Sequence, residues 1–254
     1  MKTLVVNNQK GGVGKTMLAC HLAWFLAETP GARIAFFDFD PQANASKVLK
    51  DNHDGGLAAS LFAAAPFAVP EGRQGITIFR ASDHLIHVQD SHIKLMTERF
   101  AALADGFDYA IIDTPPSWGS RNRAALTVAD HLLSPVDLEM FAVDGVAGLR
   151  RNMAVVTKEE RGGRPIHFLG LLASRYQSNS PSQKANLKQL FDSAGALMFQ
   201  GVITQRQGYA QAMQEQAPVW TLKSTAQQAA GKEIRAVLET VRAKIETVIQ
   251  ERAA

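Results

Sequence analysis

Lys10-Gly11-Gly12-Val13-Gly14-Lys15-Thr16 has the composition of a phosphate cradle. Glycines let the backbone turn so that successive N–H groups face phosphate oxygens without a Cβ in the way. A helix starting at such a turn adds its positive N-terminal end to the same anion. Lys15 has the reach for terminal phosphates, and the Thr16 hydroxyl is of the type that ligates Mg²⁺. The loop departs from the common Gly-x-x-x-x-Gly-Lys-Thr pattern at its start, where it opens on Lys10. A second lysine there can project away from its own nucleotide and neutralise phosphate held by a facing copy of the chain. Three carboxylates complete the set. Asp38 and Asp40 close the run FFDFDPQ, and Asp113 closes YAIID ahead of Thr114-Pro115-Pro116. Asp113 takes the place of a Mg²⁺ carboxylate, Asp38 would support the metal shell, and Asp40 would orient an attacking water. The site therefore implies a nucleotide and Mg²⁺.

These residues need elements that bring them to one edge. Thr3–Asn8 is a short apolar run ending in polar residues, which predicts a buried strand feeding the loop. Lys15–Glu28 carries Leu18, Leu22, Phe25 and Leu26 at helical spacing, with Pro30 and Gly31 as its stop. Arg33–Asp38, Ile76–Phe79, Tyr109–Asp113, His131–Val136 and Ile166–Ser174 read as further strands. Helices are expected across Ser91–Ala104, Gly145–Arg161, Lys184–Ser193 and Lys223–Arg252. In the last of these Ile234, Val237, Leu238, Val241, Ile245, Val248 and Ile249 form one apolar stripe. Alternating strands and helices predict an α/β fold, a single-domain, mostly parallel twisted sheet flanked by helices. In such sheets ligands gather at the carboxyl ends of strands, where all three aspartates fall. Ala58–Pro70, alanine-rich and bounded by glycines, is expected to be a short helix on a flexible surface excursion, and Gln177–Gln183 a polar loop. No internal repeat or interdomain linker is visible, so residues 1–254 read as one domain with the helix of about 223–252 packed on it.

Of the 254 residues, 46% are hydrophobic and 20% charged, which excludes disordered and collagen-like chains. The single cysteine, Cys20, permits no intramolecular disulfide and no cysteine-only metal cluster. Met1–Gln9 does not resemble a secretory leader, and no stretch reaches the ~20 apolar residues that span a bilayer, so a cytoplasmic protein is expected. Charge is uneven. Val146–Lys232 holds eleven Lys/Arg against four acids, within a chain of net charge +3. A basic half of this kind is a candidate footprint for a polyanion.

KGGVGKT at Lys10–Thr16, DFDPQANAS at Asp38–Ser46, IIDTPPS at Ile111–Ser117 and SPVDLEMFAVDGVAGL at Ser134–Leu149 together resemble the deviant Walker A ATPases of the ParA family, of the ParA/MinD superfamily. The likeness is near-continuous from Lys2 to about Leu149. Beyond that, Leu171–Tyr176 (LLASRY) and Val202–Arg206 (VITQR) look like the strand ends that flank the adenine, which carries Arg175 and Gln205 into the cofactor-binding set with Gly11–Thr16. Met17 joins that set although it stands where a second threonine is common, so it brings no hydroxyl to the α-phosphate. The resemblance implies an ATP-dependent homodimer in which Lys10 of each copy reaches the other's phosphates. It also implies non-specific DNA binding by that dimer, release by hydrolysis assisted by Asp40, and stimulation by a ParB-like or other cargo adaptor. A nucleoid-associated cytoplasmic location follows. Because the chain begins at its first strand, no helix-turn-helix extension and no operator binding are expected. Arg175, Lys184, Lys188, Arg206 and Lys223 are the chosen DNA contacts, on charge and location alone.

The nearest rival is a MinD-like membrane-associated ATPase. It would need a basic C-terminal helix with bulky apolar residues opposite. Glu233, Glu239, Glu246 and Glu251 instead alternate with Lys232, Arg235, Arg242, Lys244 and Arg252, which suits a helix packed on the body; no membrane partner is expected. An iron–sulfur carrier would need paired cysteines. His84, His87 and His92 lack metal-ligand spacing and read as surface or capping histidines, and Trp24, Trp118 and Trp220 as packing residues.

Overall fold

The computed structural model describes residues 1–138 and 143–253, with side chains for all of these except 143–146 and 248–253. Glu139–Ala142 of the Ser134–Leu149 motif, and the Val248 and Ile249 side chains, lie outside that description. Among the described residues, eight strands form one sheet: β1 (Lys2–Val6), β2 (Arg33–Asp38), β3 (His53–Leu57), β4 (Gly75–Arg80), β5 (Tyr109–Asp113), β6 (His131–Asp137), β7 (His167–Tyr176) and β8 (Met198–Thr204). Their order is β3-β4-β2-β5-β1-β6-β7-β8, and every neighbouring pair is parallel.

Side chains alternate across this sheet with period two, and each set meets its own layer of helices. Leu4, Val6, Ile34, Phe36 and Ile111 face a core built with α1 (Lys15–Ala27), α2 (Asn44–Val48), α7 (Gln207–Glu215) and α8 (Thr225–Ala253). Val5, Ala35, Phe37, Ala110 and Ile112 face the other, built with α3 (Ile93–Ala102), α4 (Ser120–Val128), α5 (Val143–Glu159) and α6 (Pro181–Ala194). Burial on both faces explains why the strands read as unbroken apolar runs.

The stripe on α8 is spent on the first of these cores. Ile234, Val237, Leu238, Val241 and Ile245 are buried there, each gaining about 1.5–3 kcal/mol over an exposed position. Glu28, at the end of α1, accepts from Arg235 Nη1 and Nη2 at 3.0 and 2.7 Å and from Trp220 Nε1 at 2.6 Å. His21 lies within edge contact of both Trp24 and Trp220, so these two tryptophans converge in space and pack as the sequence suggested.

Three expectations are corrected. Ala58–Phe62 is a 3-10 turn whose Ala58, Ala59, Leu61 and Phe62 are buried, and only the chain beyond it is an exposed excursion. The reason is Phe62, which packs edge-on against Phe39 and draws the alanines in with it. Helix α6 begins at Pro181, not Lys184, because Ser180 caps it by accepting from Gln183 N at 3.3 Å and proline is tolerated at the first helical position. Finally, α2, β3, α4 and α7 occupy segments where no element was expected. All four are short, and β3 is an edge strand whose His53-Asp54-Gly55-Gly56-Leu57 carries no strand pattern.

Candidate nucleotide site

β1 delivers the chain at Val6 and α1 takes it away at Lys15, with the glycine loop between. Gly12 and Gly14 hold φ of +74° and +91°, which L side chains rarely adopt. A Cβ at Gly14 would also sit 3.1 Å from Ser174 Oγ, itself buried without a hydrogen-bond partner. Gly14 caps α1 with no side-chain acceptor and the first turn holds no acid, so the opening N–H groups are left for an external anion. Val13 is buried beneath the loop and Gly11 is exposed, close to Pro116 of the loop that follows β5. Met17, half-buried, packs its methyl group toward Gly14.

Lys15 is buried, and its ammonium donates to Lys10 O at 2.9 Å. Burial lowers its pKa, while Asp113 and Asp40 oppose the drop and favour the charge a phosphate would meet. Lys10 projects sideways to Asp137 Oδ2 at 3.4 Å and stays 39% exposed, so its ammonium remains within reach of a partner molecule.

Two registers place the acids. Asp113 pairs with Val6 of β1 on one side and with Asp38 of β2 on the other. Both Asp113 oxygens are buried without a hydrogen-bond partner, and burial, reinforced by Asp38, pushes the carboxyl up to about 8; the nearby Thr16 hydroxyl and Lys15 ammonium work against that rise. Such an orphaned carboxylate beside a hydroxyl fits a Mg²⁺ shell by its donor chemistry. Asp38 is bonded within its own turn. Its Oδ2 accepts from Ser46 N at 2.8 Å and Ser46 Oγ at 2.7 Å, and its Oδ1 from Asp40 N at 3.2 Å. It anchors the 40–46 turn, and burial lifts its pKa to about 6 against those bonds. Asp40, half-buried, accepts from Gln42 N at 3.0 Å and lies near enough to Lys15 to favour its charge.

Sequence reasoning missed the residues that join these loops. Asn7 Nδ2 donates to Thr114 Oγ1 at 3.0 Å and to Asn122 Oδ1, and Thr114 Oγ1 donates to Val6 O at 2.8 Å. This buried network fixes the turn after Asp113 against the end of β1. Asn7 directly before the loop was its one visible signal.

On the other flank, Arg175 takes φ of +58° and donates from Nη1 to Gly12 O at 2.9 Å, which seats the end of β7 on the phosphate loop. Gln205, exposed, receives a hydrogen bond from Gln177 Nε2, and its backbone N donates to Tyr176 O at 2.9 Å. The five chosen DNA contacts therefore separate. Lys184, Lys188, Lys223 and Arg175 are exposed, Arg175 with Nη1 bonded to the loop, and Arg206 is bound to Glu233 at 3.2 Å, its charge compensated. Arg161, also counted in the basic half, is buried and donates to the carbonyls of Leu126 and Thr127 at 3.2 and 2.6 Å. Of the three histidines, His92 Nδ1 accepts from Gln89 N as a cap, and no cluster of metal-ligating side chains exists among the described residues. Nor is any helix among them long and apolar enough to cross a membrane.

Comparison with known proteins gives this geometry its relatives. Protein IncC of Escherichia coli is 34% identical over 260 residues, covering 97% of this chain and 70% of IncC. The chromosome-partitioning ATPase Soj of Thermus thermophilus is 31% identical over 205 residues, covering 80% of this chain and 81% of Soj. An ATP complex of a McdA variant from Cyanothece has the same fold, with a TM-score of 0.73 at 24% identity over 95% of this chain and 96% of McdA. The model of the CobQ/CobB/MinD/ParA nucleotide binding domain matches residues 4–219, and the chain belongs to that family.

Proposed function

We propose that the chain is a Mg²⁺-dependent ATPase of the partition type, which dimerises with ATP, binds DNA without sequence preference as that dimer, and is stimulated by a cargo adaptor of the ParB kind. The observation that carries the reading is the open glycine cradle beside an orphaned, buried Asp113 carboxylate. Similarity to IncC and Soj over most of the chain supports partition over the other chemistries this fold serves.

In this reading the loop amides and Lys15 hold the phosphates, and Thr16 and Asp113 hold Mg²⁺, which would neutralise charge on the β- and γ-oxygens. Phosphoryl transfer needs positioning and charge stabilisation more than covalent chemistry, so a group delivered across an interface can switch it on. The half-exposed ammonium of Lys10, on a weak pair with Asp137, supports giving it that role. Asp40 orients the attacking water. Residues 1–254 act as one unit, with Arg175 and Gln205 beside the base, and Lys184, Lys188 and Lys223 offer the charge for DNA.

The test is binding of the purified protein to non-specific duplex DNA and to anionic liposomes, each with ATP, ADP or no nucleotide. DNA binding that appears only with ATP supports the proposal. Liposome binding alone would move the chain to a MinD-like role, which the burial of the α8 stripe disfavours.

A further inference from the structure

Glu233 makes more polar contacts than an outer helix face requires. Its carboxylate, on α8, accepts from Thr204 N at 2.8 Å, Thr204 Oγ1 at 2.7 Å, Tyr209 Oη at 2.8 Å and Arg206 Nη2 at 3.2 Å. The side chain is only 17% exposed. One carboxylate thus pins the residue before Gln205, the residue after it, and the first turn of α7.

Residues 204 and 206 share a side because the chain there is extended; Arg206 has φ of −131° and ψ of 139°, and Gln205 N still bonds across to Tyr176 O. Gln205 stands between the two pinned residues, and its amide meets that of Gln177. Both glutamines follow the carboxyl ends of parallel strands, the edge of the sheet that also carries the phosphate loop. Arg175, at the end of β7, touches Gly12 directly, and β8 stands three strand spacings of about 4.8 Å from β1, a distance a nucleoside triphosphate spans. An amide offers a donor and an acceptor side by side, the pattern that complements the edge of adenine and mismatches guanine.

We propose that Glu233 is the positioning residue for base recognition: by holding Thr204 and Arg206 it fixes the Gln205 amide against the nucleotide base and so sets the preference for adenine. This rests on the nucleotide-binding reading above. It makes no contact with the phosphates, so it acts on base selectivity and not on the phosphate cradle.

The experiment measures dissociation constants of ATP, GTP and inorganic tripolyphosphate for wild type and for Glu233→Gln, with ligand-free melting temperatures alongside. The expected result is a loss of about tenfold in ATP affinity, with GTP and tripolyphosphate unchanged, since hydrogen bonds to a charged acceptor hold the segment. Thr204→Val, which removes one donor and keeps the carboxylate, should show a smaller loss in the same direction, and it decides the matter if Glu233→Gln melts far below wild type. An unchanged ATP-to-GTP ratio in a well-folded variant, an equal fall for all three ligands, or a wild type without base preference would each overturn the proposal. A wild type that binds tripolyphosphate and ATP alike to no measurable extent would instead overturn the nucleotide reading itself.

Discussion

Asp113 and Asp38 are register partners at the carboxyl ends of neighbouring strands, one buried with only the Thr16 hydroxyl and Lys15 ammonium near it and the other bonded to Ser46 and Asp40. The same residue type in adjacent positions thus serves two ends. A buried carboxylate without partners is costly, and a divalent cation removes that cost. Asp113→Asn should therefore keep or raise the melting temperature in EDTA while abolishing the gain in nucleotide affinity that Mg²⁺ gives wild type. Titration of a fluorescent ATP analogue with and without Mg²⁺ reads this. A variant with wild-type Mg²⁺ enhancement would remove Asp113 from the metal shell.

The two lysines of the loop should separate cleanly. Lys15, buried inside its own loop, has only its own nucleotide to meet, so Lys15→Ala should lose nucleotide affinity by about a hundredfold, the scale of charge-assisted bonds in a sheltered site. Lys10→Ala should bind ATP normally and fail to dimerise with it. Light scattering with and without ATP distinguishes them, and ATP-dependent dimers of Lys10→Ala would end the cross-subunit role.

Asp40 carries a narrower expectation. It sits on a turn anchored by Asp38, so its removal leaves the loop and the metal carboxylate in place. Asp40→Ala should keep ATP-dependent dimers and lose turnover by about 10²-fold or more, the usual weight of a group acting on the nucleophile's proton. Single-turnover hydrolysis measures it, and a rate near wild type would exclude Asp40.

For DNA, affinity should fall steeply with salt, log K dropping by about 0.9 per phosphate neutralised. Replacing Lys184, Lys188 and Lys223 together by alanine should flatten that slope, whereas Arg206→Ala should leave it unchanged because its charge is already met by Glu233. Filter binding between low and moderate salt gives both slopes. A slope insensitive to the three lysines would place the DNA surface elsewhere.

Much of the site was legible because its chemistry is contiguous: the glycine loop runs straight into its helix, and FFDFDPQ and IIDTPPS each place their acids at a strand end within a few residues. What was not legible depends on partners far apart in the chain. Arg206 looked like a free cation until Glu233, 27 residues on, came to lie against it. That Asp38 also anchors the 40–46 turn is visible only once Ser46, eight residues on, folds back on it. Asn7 and Asn122 meet across 115 residues. The alternation of Phe36 and Phe37 showed that both faces of β2 are covered, but which helix covers which face follows only from the strand order. Short elements such as α4, with a polar start and no clear period, carry too little signal to see.

His21 is fully buried on α1, and its Nδ1 lies 2.8 Å from Met17 O while Nε2 accepts from Val219 N at 3.3 Å, an arrangement that needs the neutral ring with its proton on Nδ1. Burial depresses its pKa to about 4, against an ordinary value of 6.5. Between these values the unfolded chain binds a proton that the folded chain does not, so the stability present above pH 6.5 is lost as pH falls toward 4. The shift corresponds to about 3 kcal/mol, and the loss should begin at the histidine range, before most carboxylates titrate. His21→Gln should be less stable at neutral pH but show a flatter decline between pH 6.5 and 4 in urea unfolding. An unchanged slope in that window would show that His21 does not hold the helix of the phosphate loop to the 219–221 turn in its neutral form.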